Sequence, residues 1–234
     1  MSTYRQFCPV AMASEVLTER WTPLVVRELM CGSTRFNDLR RGVPLMSPSL
    51  LSKRLKTLER VGVVEKRGAG RSVGYYLTPA GEELRPIVEA MGHWGQRWAR
   101  GDTQARNMDA SLLMWDIHRS VVEDALPSER VVVHFHLRGS IDKKSRFWLV
   151  LEPGAVDVCL TDPGFDVDLR VTAHVRSMVA YWLGASTFDE LVRGGDVEVD
   201  GPRPLARGFP KWFTRSAFAQ TRPAQAPSTG QRNA

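Results

Sequence analysis

"SPSLLSKRLKTLERVG", residues 47 to 62, bears on fold and function together. Pro48 suits the first turn of a helix, where its missing N–H costs nothing, and Ser47 directly before it can cap the free backbone donors. Gly62 marks the stop, because a glycine adopts the left-handed conformation that ends a helix at little cost. With about 100° per residue, Lys53, Lys56 and Arg60 gather on the same side as Ser49, while Leu51, Leu55 and Leu58 lie around the opposite side. One face is apolar and the other basic. Such a helix can be an ordinary solvated one, so its neighbours must decide.

Upstream, Thr22-Pro23 opens a helix, and Gly32 and Gly42 each follow an apolar-periodic segment. These signals predict helices near 10–20, 23–31 and 35–41 ahead of the one at 48–61. Thr78-Pro79 starts a longer helix, near 79–99. Between the last two lies "VVEKRGAGRSVGYYL", with strand-forming Val and Tyr at its flanks and a Gly-Ala-Gly turn at its centre. That is a β-hairpin whose tip carries Lys66, Arg67 and Arg71. Three helices and then a basic hairpin is the order of a winged helix-turn-helix. In that fold the third helix enters the major groove and the hairpin touches flanking backbone.

The charge agrees with this division. Residues 1–100 carry 16 Lys+Arg against 9 Asp+Glu, a net +7, whereas residues 101–234 carry 16 against 17, a net −1. The excess positive charge sits in the first half, where a polyanion partner is expected. Double-stranded DNA is the partner expected from the winged helix-turn-helix order. Ser47, Ser49, Ser52 and Lys53, in the first part of the helix, are candidates for base edges, and Arg35, Lys56, Arg60, Arg67 and Arg71 for phosphate or minor-groove contact. Arg54 projects between the two faces, so it suits an intramolecular partner as well as DNA.

The run from Cys8 to Arg67, followed by "YYLTPAGEEL", resembles the HxlR family of winged helix-turn-helix transcription regulators over about residues 8–100. The Cys-Pro start, Arg-Trp-Thr, Arg-Phe-Asn-Asp-Leu, Ser-Pro-x-x-Leu-Ser-x-Arg-Leu and Tyr-x-Leu-Thr-x-x-Gly elements occur together and in order. The resemblance implies a homodimer on a pseudo-palindromic operator, held by residues 10–20 and 79–99. Leu84, Ile87, Val88, Met91, Trp94 and Trp98 repeat at helical spacing and form a stripe that needs a partner, either its own domain or a second copy. Cys8 falls where some members of the family carry a thiol that senses oxidants or electrophiles, although simple packing is the other use of such a residue.

Residues 101–110 have no apolar periodicity and are expected to be a linker between domain 1–100 and domain 111–218. After a helix over 111–125, four alternating runs predict strands at 130–138, 146–152, 155–161 and 165–171, together an antiparallel sheet. In the last run Phe165, Val167, Leu169 and Val171 are expected to share a buried face. Helices over 172–183 and 187–193 and a short Gly-flanked strand complete an α+β chain. The order of elements, chiefly over residues 165–213, resembles the sterol carrier protein type 2 fold. There an antiparallel sheet covered by helices encloses a cavity for hydrophobic ligands. The resemblance implies Val133, Phe135, Leu149, Val158, Val167, Leu169, Trp182 and Phe188 as a ligand-pocket lining, against the plainer reading that they fill the core.

Several classes are excluded as expectations. Three scattered cysteines, Cys8, Cys31 and Cys159, form neither a disulfide framework nor a zinc site. His134 and His136 point the same way along one strand but have no ligand-spaced Cys, Asp or Glu nearby, so no metal is assigned. No cofactor or catalytic motif is found. With no long apolar run and no secretion signal at the N-terminus, the protein is expected in the cytoplasm, without membrane insertion. Residues 219–234, rich in Ala, Pro, Gln and Ser, are expected to be a disordered tail. The function implied is a dimeric transcription regulator of the HxlR type, modulated by a hydrophobic small molecule. The alternative is a lipid or hydrophobic-ligand carrier whose basic domain serves only oligomerisation.

Overall fold

The cap signals around Ser47 and Gly62 are realised in the computed structural model, which describes residues 4–99 and 108–224, the side chain of Arg71 excepted. Helices α1 (Pro9–Leu17), α2 (Thr22–Met30), α3 (Phe36–Gly42) and α4 (Pro48–Arg60) precede a hairpin of β1 (Val64–Arg67) and β2 (Gly74–Leu77). Ser47 Oγ accepts from the Leu50 N–H at 3.2 Å, and Gly62 turns the chain with φ +76°. The hairpin is antiparallel, pairing Val64 with Leu77 and Arg67 with Gly74, and the Tyr75 N–H donates to the Thr34 carbonyl at 2.8 Å. Val25, Val26, Leu39, Leu51, Leu55 and Leu58 form a core in which each leucine is fully buried. Burial of that degree contributes roughly 1.5–3 kcal/mol per side chain. Instead of one long helix over 79–99 there are two, α5 (Pro79–Glu82) and α6 (Arg85–Trp98). Pro86 explains the break, because it has no N–H to donate to the Glu82 carbonyl, the bond that would carry α5 on into α6.

In the second half, α7 (Ala110–His118) leads into a five-stranded sheet of β3 (Val131–Arg138), β4 (Arg146–Glu152), β5 (Ala155–Cys159), β6 (Leu169–His174) and β7 (Val197–Asp200), in the order β5-β4-β3-β6-β7. The expectation of an antiparallel sheet is corrected here: β3 and β6 run parallel, with Val133 opposite Leu169 and Leu137 opposite Ala173. Alternation of apolar residues is the same for either direction, so it carries no sign of this. Because β5 and β6 both run in the direction of β3, the chain must return along the sheet between them, which occupies residues 160–168. Phe165 is therefore not on a strand. It is exposed and lies under the Arg130 guanidinium, 4.2 Å from its centroid. The strand it was expected to begin starts at Leu169 and continues through His174, into residues the sequence assigns to helix.

Helices α8 (Val175–Trp182), α9 (Phe188–Arg193) and α10 (Arg203–Gly208) follow β6 and flank β7. Phe135, Phe147, Leu149, Leu169 and Phe209 are among the fully buried side chains between sheet and helices. The opposite face of the sheet carries His134, His136 and Arg170. His134 is half-buried against Trp148, with ring centroids 4.8 Å apart.

The two halves are in contact. Residues 108–110, expected as linker, are buried, and Asp109 caps α7 by accepting from the Leu112 N–H at 3.0 Å. Residues 101–107 lie outside the described residues. The Glu28 carboxylate on α2, wholly buried, accepts from Arg119 just after α7. From α6, Gln96 Nε2 donates to the Leu183 carbonyl at 2.9 Å. Residues 219–224, expected as disordered tail, run back along α6: the Ala224 N–H donates to the Arg97 carbonyl at 2.9 Å, and Thr221 Oγ1 lies 2.6 Å from His93 Nδ1. Residues 225–234 lie outside the described residues.

Candidate nucleic-acid interface

The core-facing leucines of α4 fix which side of that helix faces outward. Ser49, Lys53, Lys56 and Arg60 are exposed, and with Ser52 and Thr57 they line one shallow groove along the helix. Six of the residues read from the sequence are thus on or beside one surface. Lys53 and Lys56 make no ion pair among the described residues. Ser47 has a structural use, as the helix cap, and its Oγ is also 3.1 Å from that of Ser49.

Arg54 is settled differently from its neighbours. It is buried, its Nε donates to the Arg20 carbonyl at 3.1 Å, and it pairs with Glu19. That guanidinium fastens α4 to the turn between α1 and α2.

The wing continues the basic surface with qualifications. Lys66 is exposed. Arg67 is paired with Glu65 and lies over the Tyr76 ring at 4.7 Å, so any phosphate contact must compete with a local carboxylate. Arg35 Nη1 donates to the Val73 carbonyl at 3.3 Å, which ties the start of α3 to the hairpin. The Arg71 side chain lies outside the described residues. Cys8 is half-buried in the cap position ahead of α1, where its carbonyl accepts from the Met12 N–H at 3.1 Å.

Two surfaces flank this one. On α6, Ile87, Met91, Trp94 and Trp98 are exposed, with Met91 at 51% and Trp94 at 63%, while Val88 alone of the stripe is buried. On and before α1, Phe7, Val10 and Met12 are exposed as well, and no residue of that helix is buried. Both elements that the sequence assigns to dimerisation therefore present apolar side chains to solvent.

Of the residues expected to line a ligand pocket, Val133, Phe135, Leu149, Leu169 and Phe188 are packed into the core. Val167 is half-buried in the return run before β6. Val158 and Trp182 do reach cavities, but separate ones, both at the junction between the halves. The signal missed from the sequence is the pair Arg40 and Arg41, which the fold turns toward the second half.

Helices in this order with a two-stranded hairpin define a winged helix-turn-helix. The profile of the HxlR-like helix-turn-helix family matches residues 16–103. An HTH-type transcriptional regulator of Bacillus subtilis, YvaP, is 35% identical over 97 residues, which span 40% of this chain and 90% of YvaP. The HTH-type transcriptional regulator YodB of the same organism is 33% identical over 101 residues, 41% of this chain and 90% of its own. The crystal structure of quinone-bound YodB aligns with a TM-score of 0.34 and 34% identity, covering 38% of this chain and 97% of that one. The chain belongs to the HxlR-like helix-turn-helix family. Its relatives are transcriptional regulators rather than enzymes.

Proposed function

We propose that this protein is a dimeric DNA-binding transcription regulator that places α4 in the major groove and the β1–β2 hairpin against the flanking backbone. The observation that carries the reading is the exposed face of α4, where Lys53 and Lys56, without ion pairs among the described residues, stand beside Ser49 and Ser52. Lysine and arginine neutralise phosphates without reading sequence, whereas side chains near the helix start reach base edges. The names of the relatives support the same reading. The exposed apolar faces of α1 and α6 support a two-fold dimer, which sets two recognition helices about 34 Å apart, or a multiple of that distance.

For the second half we propose the sterol-carrier-like fold. What supports it is the succession of helix, three-strand meander, return run, strand, helices, closing strand and final helix. Its expected interior lining is largely core, so the ligand reading passes to the cavities at the junction.

Binding of the protein to DNA from the region upstream of its own gene tests the first reading. Lys53→Ala should relax base preference, and Arg71→Ala should weaken all duplexes alike, lowering the salt slope by about one unit. Wild-type behaviour from both variants would remove α4 and the wing as the DNA surface.

A further inference from the structure

A cavity of about 400 Å³ opens where α3 meets the second half. Val158 and Leu160, at and just past the end of β5, make its apolar wall, closed behind by Phe147 of β4 and Met114 of α7. The rim has the opposite character. Arg40 and Arg41 reach it from the last turn of α3, and Lys144 from the loop before β4, while no Asp or Glu is among its described lining residues. Asn37 and Ser111 add polar groups.

Two acids stand beside the rim, Asp38 and Asp142. Asp142 accepts from the hydroxyls of Ser111 and Ser140 and from the Lys144 N–H. Asp38 stands 3.9 Å from Arg41, whose guanidinium lies over the Trp115 ring at 5.1 Å. Arg40 and Lys144 make no ion pair among the described residues. Three cations set against Asp38 and Asp142 still leave a net positive charge, beside an apolar wall, at the mouth of a space within the usual range for small-molecule sites. Such a space complements a molecule with an apolar body and an anionic head, and guanidinium donors match a carboxylate in fork geometry.

We propose that this cavity binds a small amphipathic anion: an apolar chain or ring system ending in a carboxylate, with the head at Arg40, Arg41 and Lys144 and the body against Val158 and Leu160. The site is shared by α3 and β5, so an occupant bridges the helix-turn-helix and the sheet domain. Any effect on DNA rests on the function proposed above, and requires that the occupant prefer one arrangement of the halves.

Calorimetric titration of the full chain, without DNA, with decanoate, 1-decanol and decyltrimethylammonium tests the binding alone. Decanoate should bind one site per chain, and the neutral and cationic compounds at least about tenfold more weakly, a difference of one charge-assisted hydrogen bond. Arg40→Glu and Lys144→Glu, at exposed positions, should each cost decanoate about tenfold with circular dichroism unchanged. Val158→Trp should fill the space and remove binding. Equal binding of the three compounds, no binding of decanoate, or wild-type affinity in all three variants would overturn the proposal. So would a loss of duplex binding in Arg40→Glu with decanoate affinity intact, which would assign these cations to DNA. Because the titration contains no nucleic acid, its failure would leave the DNA-binding reading standing, and the reverse also holds.

Discussion

Arg119 Nη1 donates to Glu28 Oε2 at 2.6 Å across the junction between the two halves, with the Glu28 side chain wholly out of solvent. Arg27 also donates to that carboxylate, and Trp115 Nε1 approaches it at 3.4 Å. Burial pushes the Glu28 carboxyl up, but hydrogen bonding from Arg119 and the charge of Arg27 outweigh it and hold the group below its ordinary value. Asp116, in the same cluster, goes the other way: burial raises it despite Arg27 and Arg119. Replacing Glu28 by Gln strands two guanidinium groups without their main counter-charge, and losing one partner of a buried pair costs about 3–5 kcal/mol. Chemical denaturation of Glu28→Gln should show a loss of that order.

The pH dependence follows from those directions. A carboxylate whose pKa is depressed on folding contributes stability above its unfolded pKa and loses it as pH falls through the folded one. The gap in stability between wild type and Glu28→Gln should therefore narrow as pH drops below the ordinary carboxylate range, around 4. Asp116 has the opposite sign, since its ionised form is the disfavoured one. Asp116→Asn should be milder at neutral pH, and its difference from wild type should shift toward destabilisation in acid. Denaturation midpoints of the three proteins across a pH series measure both.

Gly42 abuts the same carboxylate: a methyl group added there would collide with the Glu28 side chain. Because Glu28 is held by partners on two helices, it cannot swing away. Gly42→Ala should cost roughly 1–3 kcal/mol, the usual range for overpacking, and the loss should shrink in a Glu28→Ala background. A double-mutant cycle checks this.

Ser47 and Ser49 should separate stability from recognition. Ser47→Ala removes the acceptor for the Leu50 N–H and should lower stability by about 1 kcal/mol. Ser49→Ala should leave stability within about 0.5 kcal/mol, as for surface sites generally, while weakening duplex binding. Urea denaturation and a binding titration on the same preparations give the two readouts.

Met91→Glu and Trp94→Asp place charges on the exposed face of α6. If that face joins two copies, both variants should be folded monomers under conditions in which the wild type sediments as a dimer. Sedimentation velocity decides, with circular dichroism to confirm the fold.

Elements whose signal is local were legible in the chain itself. Ser47, Pro48 and Gly62 bound α4 because capping involves backbone groups within a turn, and the leucine spacing dictated which side of that helix would be buried. The basic face of α4 and the hairpin after it were determined in this way, as was the family. Only the tertiary structure decided that Arg54 fastens α4 to the Arg20 carbonyl, that β6 runs parallel to β3, and that most of the expected pocket lining is core. The junction at Glu28 and Arg119 and the cationic cavity at Arg40, Arg41 and Lys144 belong to the same group. Each of these depends on residues far apart in sequence meeting in space, and a charge or an apolar side chain has the same local pattern whatever it will later touch. Helix ends are set by neighbours within a turn, whereas strand direction, ion-pair partners and cavities are set by how separately formed elements dock.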